Sequence, residues 1–366
     1  MKRLFTLFEY KRRNARHARR SANRKLIYKS KKRQKNKSEQ GINQIEREYK
    51  RAFIDRFKDY KRVKAPDVLS FIENPTGVVE FISNLKQQFD DKKKVFVVLK
   101  SVKSISYDAI VVLLSIMVRF KANKISFNGD FPDNEEAKNI LIESKFLKYL
   151  YQQFKNEDRY DLGQKSSIHT HAWKDVDAEL GSTLIKNASM TIWGEKRRCQ
   201  GAQRTLIELM LNTNNHADNS KKGEKHWWLS VHHDRVNRKV SFAFIDFGVG
   251  VFSSLKNKRQ GSKFFGILEK LKEKLLYGNN ADLLRLIMDG TLHKTATGKS
   301  YHGKGLPGIN KVRERQQISN LNIITNDVHA NLDTNDFKIL SKSFTGTFVY
   351  WELNQHNLNC YAENID

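Results

Sequence analysis

Apolar and polar positions alternate with two different rhythms along this chain. Between residues 67 and 150, short apolar runs are interleaved with longer stretches of helical periodicity. Val95-Phe-Val-Val-Leu99 predicts a buried strand, Tyr107 to Phe120 an apolar helix, Lys124-Ile-Ser-Phe-Asn128 a second strand, and Glu135 to Tyr151 a further helix. Strand, helix, strand, helix at this spacing predicts a small α/β domain with a right-handed crossover. Beyond residue 178 the elements are longer. Ala178 to Met190 and the segment around Leu206 to Met210 have helical spacing, and residues 240–251 alternate into an apolar strand.

The second region carries polar residues where a plain core would not need them. Glu208, Asn212 and His216 recur every four residues, so a helix would project them from one face while Leu206, Leu209 and Met210 turn toward a core. An ordinary amphipathic helix with a solvated side accounts for this pattern equally well when it is taken alone. The strand of residues 240–251 stops at Asp246 and continues through Gly248 and Gly250. Such an ending sets one carboxylate beside backbone that a flat ligand can approach closely. Further on, His302-Gly-Lys-Gly-Leu-Pro-Gly-Ile309 sets glycines ahead of a helix, leaving amides free for phosphate oxygens. Ser343-Phe-Thr-Gly-Thr347-Phe-Val-Tyr350 closes the series with a Gly-Thr strand.

In this order the motifs resemble the N, G1 and G2 boxes and the closing strand of the GHKL, or Bergerat-fold, ATPases. That superfamily includes DNA gyrase B subunits, MutL, histidine kinases and anti-sigma-factor kinases. The resemblance covers roughly residues 180–355 and implies an ATP site with magnesium. It assigns a metal-contacting oxygen to Asn212, deprotonation of the attacking water to Glu208, and the adenine amino contact to Asp246, with Thr347 supporting the base. Gly248 and Gly250 would allow close approach to the base, and Gly303, Gly305 and Leu306 would offer amides to the phosphates. Lys304 could add charge, and His216 takes a supporting place at the end of the first motif. The segment from Phe252 to His302, with helices expected at Phe264 to Leu276 and Ala281 to Met288, corresponds to the ATP lid.

The first region resembles the STAS fold of anti-sigma-factor antagonists. In that family a serine at the start of the first helix is phosphorylated. Here the stretch is Ile105-Ser-Tyr-Asp-Ala-Ile110, with Tyr107 or Asp108 near that place. The simpler reading of Asp108 is an acid favoured by the positive end of the helix dipole.

Composition adds an organising feature. Hydrophobic residues make up 39% of the chain, enough for a sizeable core, while net charge is +27. Residues 1–64 hold 24 Lys and Arg against 6 Asp and Glu, so +18 of that charge lies in an N-terminal arm. Such a segment suits RNA or DNA, although a solubilising basic tail reads the same way. Residues 43–62 have apolar positions at helical spacing. The apolar run from Ala109 to Val118 is too short to cross a bilayer, and the start lacks a secretory signal, which together suggest a cytoplasmic protein. Cys199 and Cys360 lie far apart, and His169-Thr-His171 reads as loop in preference to a metal site.

The resulting expectation is an α/β chain, in the α+β sandwich sense: a basic arm with a helix over 1–65, a STAS-like domain over 66–155, a linker over 156–179, the ATPase domain over 180–355 and a tail over 356–366. Two functions follow. One is a regulatory protein that binds and slowly hydrolyses Mg-ATP to switch its lid and domain arrangement, with phosphoryl transfer to a protein partner as a further outcome. The alternative is a nucleic-acid-binding effector or defence component under ATP control.

Overall fold

The computed structural model describes residues 15, 16, 19, 22–26, 56–151, 167–172, 176–216, 227–256, 279–290 and 305–357. Two compact units divide the chain, residues 1–60 and 61–366. In the first, residues 22–26 are helical and exposed. Of the helix expected over 43–62, residues 43–55 lie outside the described residues; residues 57–60 form a turn, and Lys61–Lys64 is a strand.

The second unit is a mixed α/β structure containing both parallel and antiparallel sheets. It opens with β1 (Lys61–Lys64), β2 (Val68–Leu69), helix α1 (Pro75–Asp90), β3 (Val95–Val98), β4 (Ser104–Ile105), helix α2 (Tyr107–Ala122) and β5 (Phe127–Gly129). Strands β1, β3 and β5 form a parallel sheet in that order, with α1 and α2 as the intervening crossovers. Asn74 caps α1 by accepting from the Gly77 amide at 3.1 Å, and Pro75 occupies the first turn, where no amide donor is needed. Val78, Phe81, Ile82 and Leu85 then make a buried stripe at three- and four-residue spacing.

Helix α2 is apolar nearly all round. Ile110 to Leu114, Ile116, Met117 and Phe120 are all buried. A helix with no polar side must be covered on both faces. Each such aliphatic side chain contributes about 1.5–3 kcal/mol of burial before chain entropy is counted. The helix ends where Lys124 turns left-handed at φ 59° and the Ile125 amide returns to the Phe120 carbonyl.

The single helix expected from Glu135 to Tyr151 is two, α3 (Glu135–Glu143) and α4 (Phe146–Tyr151). Ser144 ends the first by donating to the Leu141 carbonyl and accepting from the Phe146 amide, and Lys145 adopts φ 56°. Hydroxyl bonding to nearby backbone competes with helix continuation there.

A five-stranded antiparallel sheet follows, ordered β6-β7-β8-β10-β9, from β6 (Ser167–Ala172), β7 (Trp227–Asp234), β8 (Lys239–Asp246), β9 (Ser319–Asn331) and β10 (Asp336–Leu353). Strand β6 corrects the expected loop at His169 and His171, since both residues pair with β7. Its helices are α5 (Ala178–Trp193), α6 (Gln200–His216), the short α7 (Val251–Lys256), α8 (Asn280–Met288) and α9 (Leu306–Glu314).

Strand alternation sorts this sheet into two apolar faces. Trp227, Leu229, Val231, Val240, Phe242, Phe244, Val349, Trp351 and Leu353 share a core with α5, α6, α8 and α9. Trp228, Ala243, Ile245, Ile324, Phe348 and Tyr350 share another with α1 and α2. Phe71 stacks on Phe348 with centroids 4.6 Å apart and meets Phe344 edge-on. The N-terminal α/β portion is therefore packed directly on the back of the larger sheet. Among the described residues no helix is long and apolar enough to cross a membrane.

Candidate functional site

The site forms where the helix-covered face of the large sheet runs out of apolar residues. On β8 the row Val240, Phe242, Phe244 ends at Asp246. On β10 the row Leu353, Trp351, Val349 ends at Thr347, and on β9 Leu321 and Ile323 lead to Thr325. By strand parity these three polar residues face the same way as the core rows behind them. Register confirms the neighbourhood, pairing Thr347 with Asp246 and Thr325 with Thr347.

Asp246 is tightly held. Its Oδ1 accepts from the Gly248 amide at 2.8 Å. Burial pushes its carboxyl up to about 6, a rise opposed by that amide and by the Thr347 hydroxyl and amide. Gly346 adopts φ 113° within a register shift of β10, and a Cβ there would run into the Asp246 carbonyl oxygen. The Gly-Thr motif thus has a local reason: only glycine lets β10 bulge this close to the end of β8.

The glycine turn after Asp246 is pinned from β9. Thr325 Oγ1 accepts from the Val251 amide at 3.0 Å and donates to the Gly346 carbonyl at 3.3 Å. Asn326 accepts from the Phe252 amide through Oδ1 and donates to the Val249 carbonyl through Nδ2. At Gly250, φ is 77°, and a Cβ would come within 2.5 Å of Asn326 Oδ1. Thr325 and Asn326 were not anticipated. The three consecutive polar residues Thr325-Asn-Asp327 after Asn322-Ile-Ile324 were the available signal.

A second group of the expected site residues lies on α6 and at the start of α9. Glu208 is buried at 8% exposure, with the Arg204 Nε 3.7 Å from its carboxylate. One turn later Asn212 is half-buried, and its side-chain oxygen lies 3.4 Å from where a Cβ on Gly305 would stand. Gly305 has φ 119° and precedes Leu306, the first residue of α9, whose N-terminus has no side-chain cap. Pro307 has no amide, but the Leu306 and Gly308 amides of the first turn have no side-chain cap, and Asn212 stands beside Gly305, a chemistry that suits an anionic ligand with a cation bridging to the amide oxygen.

The structure thus brings together Asn212 with Gly305, and Asp246 with Gly248 and Thr347. Gly303, Lys304, the His216 side chain and the expected helix Phe264–Leu276 lie outside the described residues. Of the expected lid, residues 252–256 in α7 and the helix α8 are described. Asn279 and Asp282 form a capping box at its start, and Asn280 Nδ2 donates to Asp327 Oδ1 at 2.6 Å, tying it to β9. Among the described residues no cluster of His, Cys, Asp and Glu has a metal-binding arrangement of its own.

The other face of the sheet reaches the same region. Phe247, next to Asp246, lies under the Arg119 guanidinium of α2, and Lys86 of α1 donates to Thr345 Oγ1 at 2.6 Å. No protein-family model matches this chain, and no curated protein matches it.

Proposed function

We propose that residues 180–355 bind Mg-ATP and hydrolyse it slowly, as a GHKL-type regulatory ATPase. The observation that carries this reading is the convergence of polar residues at the end of the helix-covered core rows, with Asn212 set against the glycine that starts α9. In this reading Asp246 accepts the adenine amino hydrogen bond and Thr347 holds the carboxylate in place. The turn at Gly248 and Gly250 would bring its backbone close to the base. Gly305 and Leu306, with Gly303 and Lys304 before them, address the phosphates, and Asn212 contributes an oxygen toward magnesium. A magnesium ion bound there would offset charge on the phosphates. Glu208, on the same helix face, accepts the proton of the attacking water. His216 supports the end of that helix.

Hydrolysis of γ-labelled ATP with magnesium tests the proposal, comparing the unmodified chain with Glu208→Ala and Asp246→Asn. Phosphate release by the first, lost in both variants with ATP binding retained in Glu208→Ala, is the expected result. Equal silence of all three, together with failure of the unmodified chain to bind ATP, would overturn it.

The second reading, a nucleic-acid-binding effector with an ATP-controlled switch, is favoured by the concentration of +18 charges in residues 1–64. Because Lys61–Lys64 is strand β1, the informative deletion stops at Tyr60. Salt-sensitive RNA or DNA binding that disappears with residues 1–60 would support this reading. Turnover that persists without them, with no such binding, would favour the first.

A further inference from the structure

The parallel sheet of β1, β3 and β5 has two ends of different electrostatic character. Where its strands finish, lysine is matched by carboxylate. Lys103 pairs with Asp67 at 2.9 Å and Lys100 with Asp133 at 3.8 Å, and Asp130 accepts from the Leu99 and Lys100 amides. Where the strands start, cations outnumber acids. Lys61 and Arg62 open β1, Lys92, Lys93 and Lys94 lead into β3, and Lys124 lies in the turn before β5, all of them exposed. The one acid in residues 61–64, 91–95 and 123–127 is Asp91, which pairs with Lys93 at 2.9 Å. Register gathers these segments on one edge. Lys61 pairs with Val95 and Val95 with Phe127, the Lys61 amide donates to the Lys94 carbonyl, and the Val95 amide donates to the Ser126 carbonyl.

Local structure does not account for this charge. A lysine just past a helix C-terminus complements the dipole, which explains one cation per helix end. That leaves Lys61, Arg62, Lys93 and Lys94 over, and α2 already carries Arg119 and Lys121 in its last turn. Backbone conformation does not select lysine either. Lys92 and Lys124 hold φ 53° and 59°, a region that glycine or asparagine enters at lower cost. Six cations on one edge repel one another, and a polyanion turns that repulsion into attraction. Chain connectivity adds a pointer, because the basic arm is bonded to Lys61 and so enters the second unit at this edge. A bilayer fits less well: Val63 and Val95 are buried, Ile125 and Phe127 are partly buried, and no large apolar side chain in these segments is exposed for insertion. Three strands make the edge roughly 10 Å wide, which spans about three phosphates of a nucleic-acid strand at about 3.4 Å each.

We infer that the starting edge of the β1-β3-β5 sheet binds the phosphate backbone of nucleic acid without regard to base sequence, continuing onto the second unit a contact that the basic arm begins. The inference rests on the nucleic-acid reading given above and adds to it an ordered surface with named contacts. Its cations neutralise phosphates and release their counterions, so the contact is strongest at low salt. Phosphate contacts of this kind position the chain on its partner and carry no sequence information.

Fluorescence anisotropy of labelled duplex and single-stranded oligonucleotides with the full chain, over a series of salt concentrations, is the test. Vesicles of phosphatidylserine in phosphatidylcholine, and polyglutamate, are the contrasting probes. Lys92→Asn with Lys124→Asn removes two cations and keeps residues that tolerate the left-handed backbone. Lys100→Gln with Lys103→Gln removes the same charge from the other end of the same sheet. The first pair is expected to weaken binding about tenfold near 0.1 M salt, to flatten the slope of log K against log salt by about one to two, and to do so equally for unrelated base sequences. The second pair should change affinity by less than about threefold. Lys61→Gln with Lys93→Gln repeats the measurement away from the left-handed positions, and melting curves check that each variant is folded. If the full chain binds neither oligonucleotide, the nucleic-acid reading and this inference fall together. If it binds them and both starting-edge pairs behave like the Lys100 and Lys103 control, the arm accounts for the binding and this inference alone is overturned. Losses confined to vesicle or polyglutamate binding would overturn it as well.

Discussion

Asn212 on helix α6 stands beside Gly305 at the start of α9, its side-chain oxygen 3.4 Å from where a Cβ on the glycine would lie, an ordinary van der Waals distance. Two separated motifs of the sequence are thereby neighbours in space. Gly305 also holds φ 119°, a region that residues with a Cβ rarely enter. Gly305→Ala is expected to lower stability by roughly 1–3 kcal/mol, read by denaturant unfolding. ATP affinity, read by calorimetry, should fall further than that loss of folded protein explains.

Gly346 predicts a larger effect. Its Cβ would meet rigid backbone at Asp246, not the end of a flexible side chain, and its φ of 113° is unfavourable in addition. Gly346→Ala should cost roughly 2–5 kcal/mol of stability, combining strain and overpacking. Thr347→Ser, which keeps the hydroxyl that Asp246 accepts, should cost little; thermal melting distinguishes the two.

Four buried groups set opposing pH dependences. Burial raises Asp108 and Asp246 to about 6, so the ionised forms are disfavoured in the folded chain. Their contribution is fully present below about pH 3.8 and declines as pH rises to about 6. Burial lowers His233 and His329 to about 4, so their contribution is fully present above about pH 6.5 and declines as pH falls toward 4. The windows overlap, and the four contributions largely cancel. Asp108→Asn keeps an oxygen to accept from Phe71 and Ser106 and removes one of the opposing slopes. Its advantage over the unmodified chain should grow with pH between 4 and 6, reaching on the order of 2 kcal/mol. Melting curves across that range check the sign. Under the proposed function, protonation of Asp246 should also weaken nucleotide binding as pH falls through about 6.

The core beneath α1 and α2 predicts cooperative unfolding. Phe71 belongs to the N-terminal portion yet packs on Phe344 and Phe348 of the large sheet. Phe71→Ala should destabilise by about 3–5 kcal/mol. Residues 61–366 should still unfold in one transition, with far-ultraviolet circular dichroism and tryptophan fluorescence coinciding. Two separate transitions would contradict a shared core.

Much of the local structure was legible from residue patterns. The alternation from Val240 to Asp246 marks β8 because one face is apolar and the strand ends on a turn, and the apolar stretch from Tyr107 marks α2. The polar ends of the rows were readable too, since Asp246, Gly346 and Thr347 interrupt apolar strands. Pairings between distant segments were harder to read. Strand β6 has no alternation strong enough to announce an edge strand, and Thr325 and Asn326 acquire meaning only when β9 is placed beside the Gly248–Gly250 turn. Ser144 ended a helix through its hydroxyl, a competition that apolar spacing does not register. The uniform apolarity of α2 was the one sequence sign that the two regions lie face to face.

That helix has a consequence for how a signal could cross the molecule. Having no wet side, α2 cannot roll or peel away without exposing two greasy surfaces, one on each sheet. Packing on both faces leaves short sliding as the motion between the layers that keeps those surfaces covered, with Arg119 beside Phe247 and Lys86 beside Thr345. The N-terminal layer behaves as a plate clamped to the back of the sheet, and a push on one edge of the plate arrives at the other as a displacement, not as an opening.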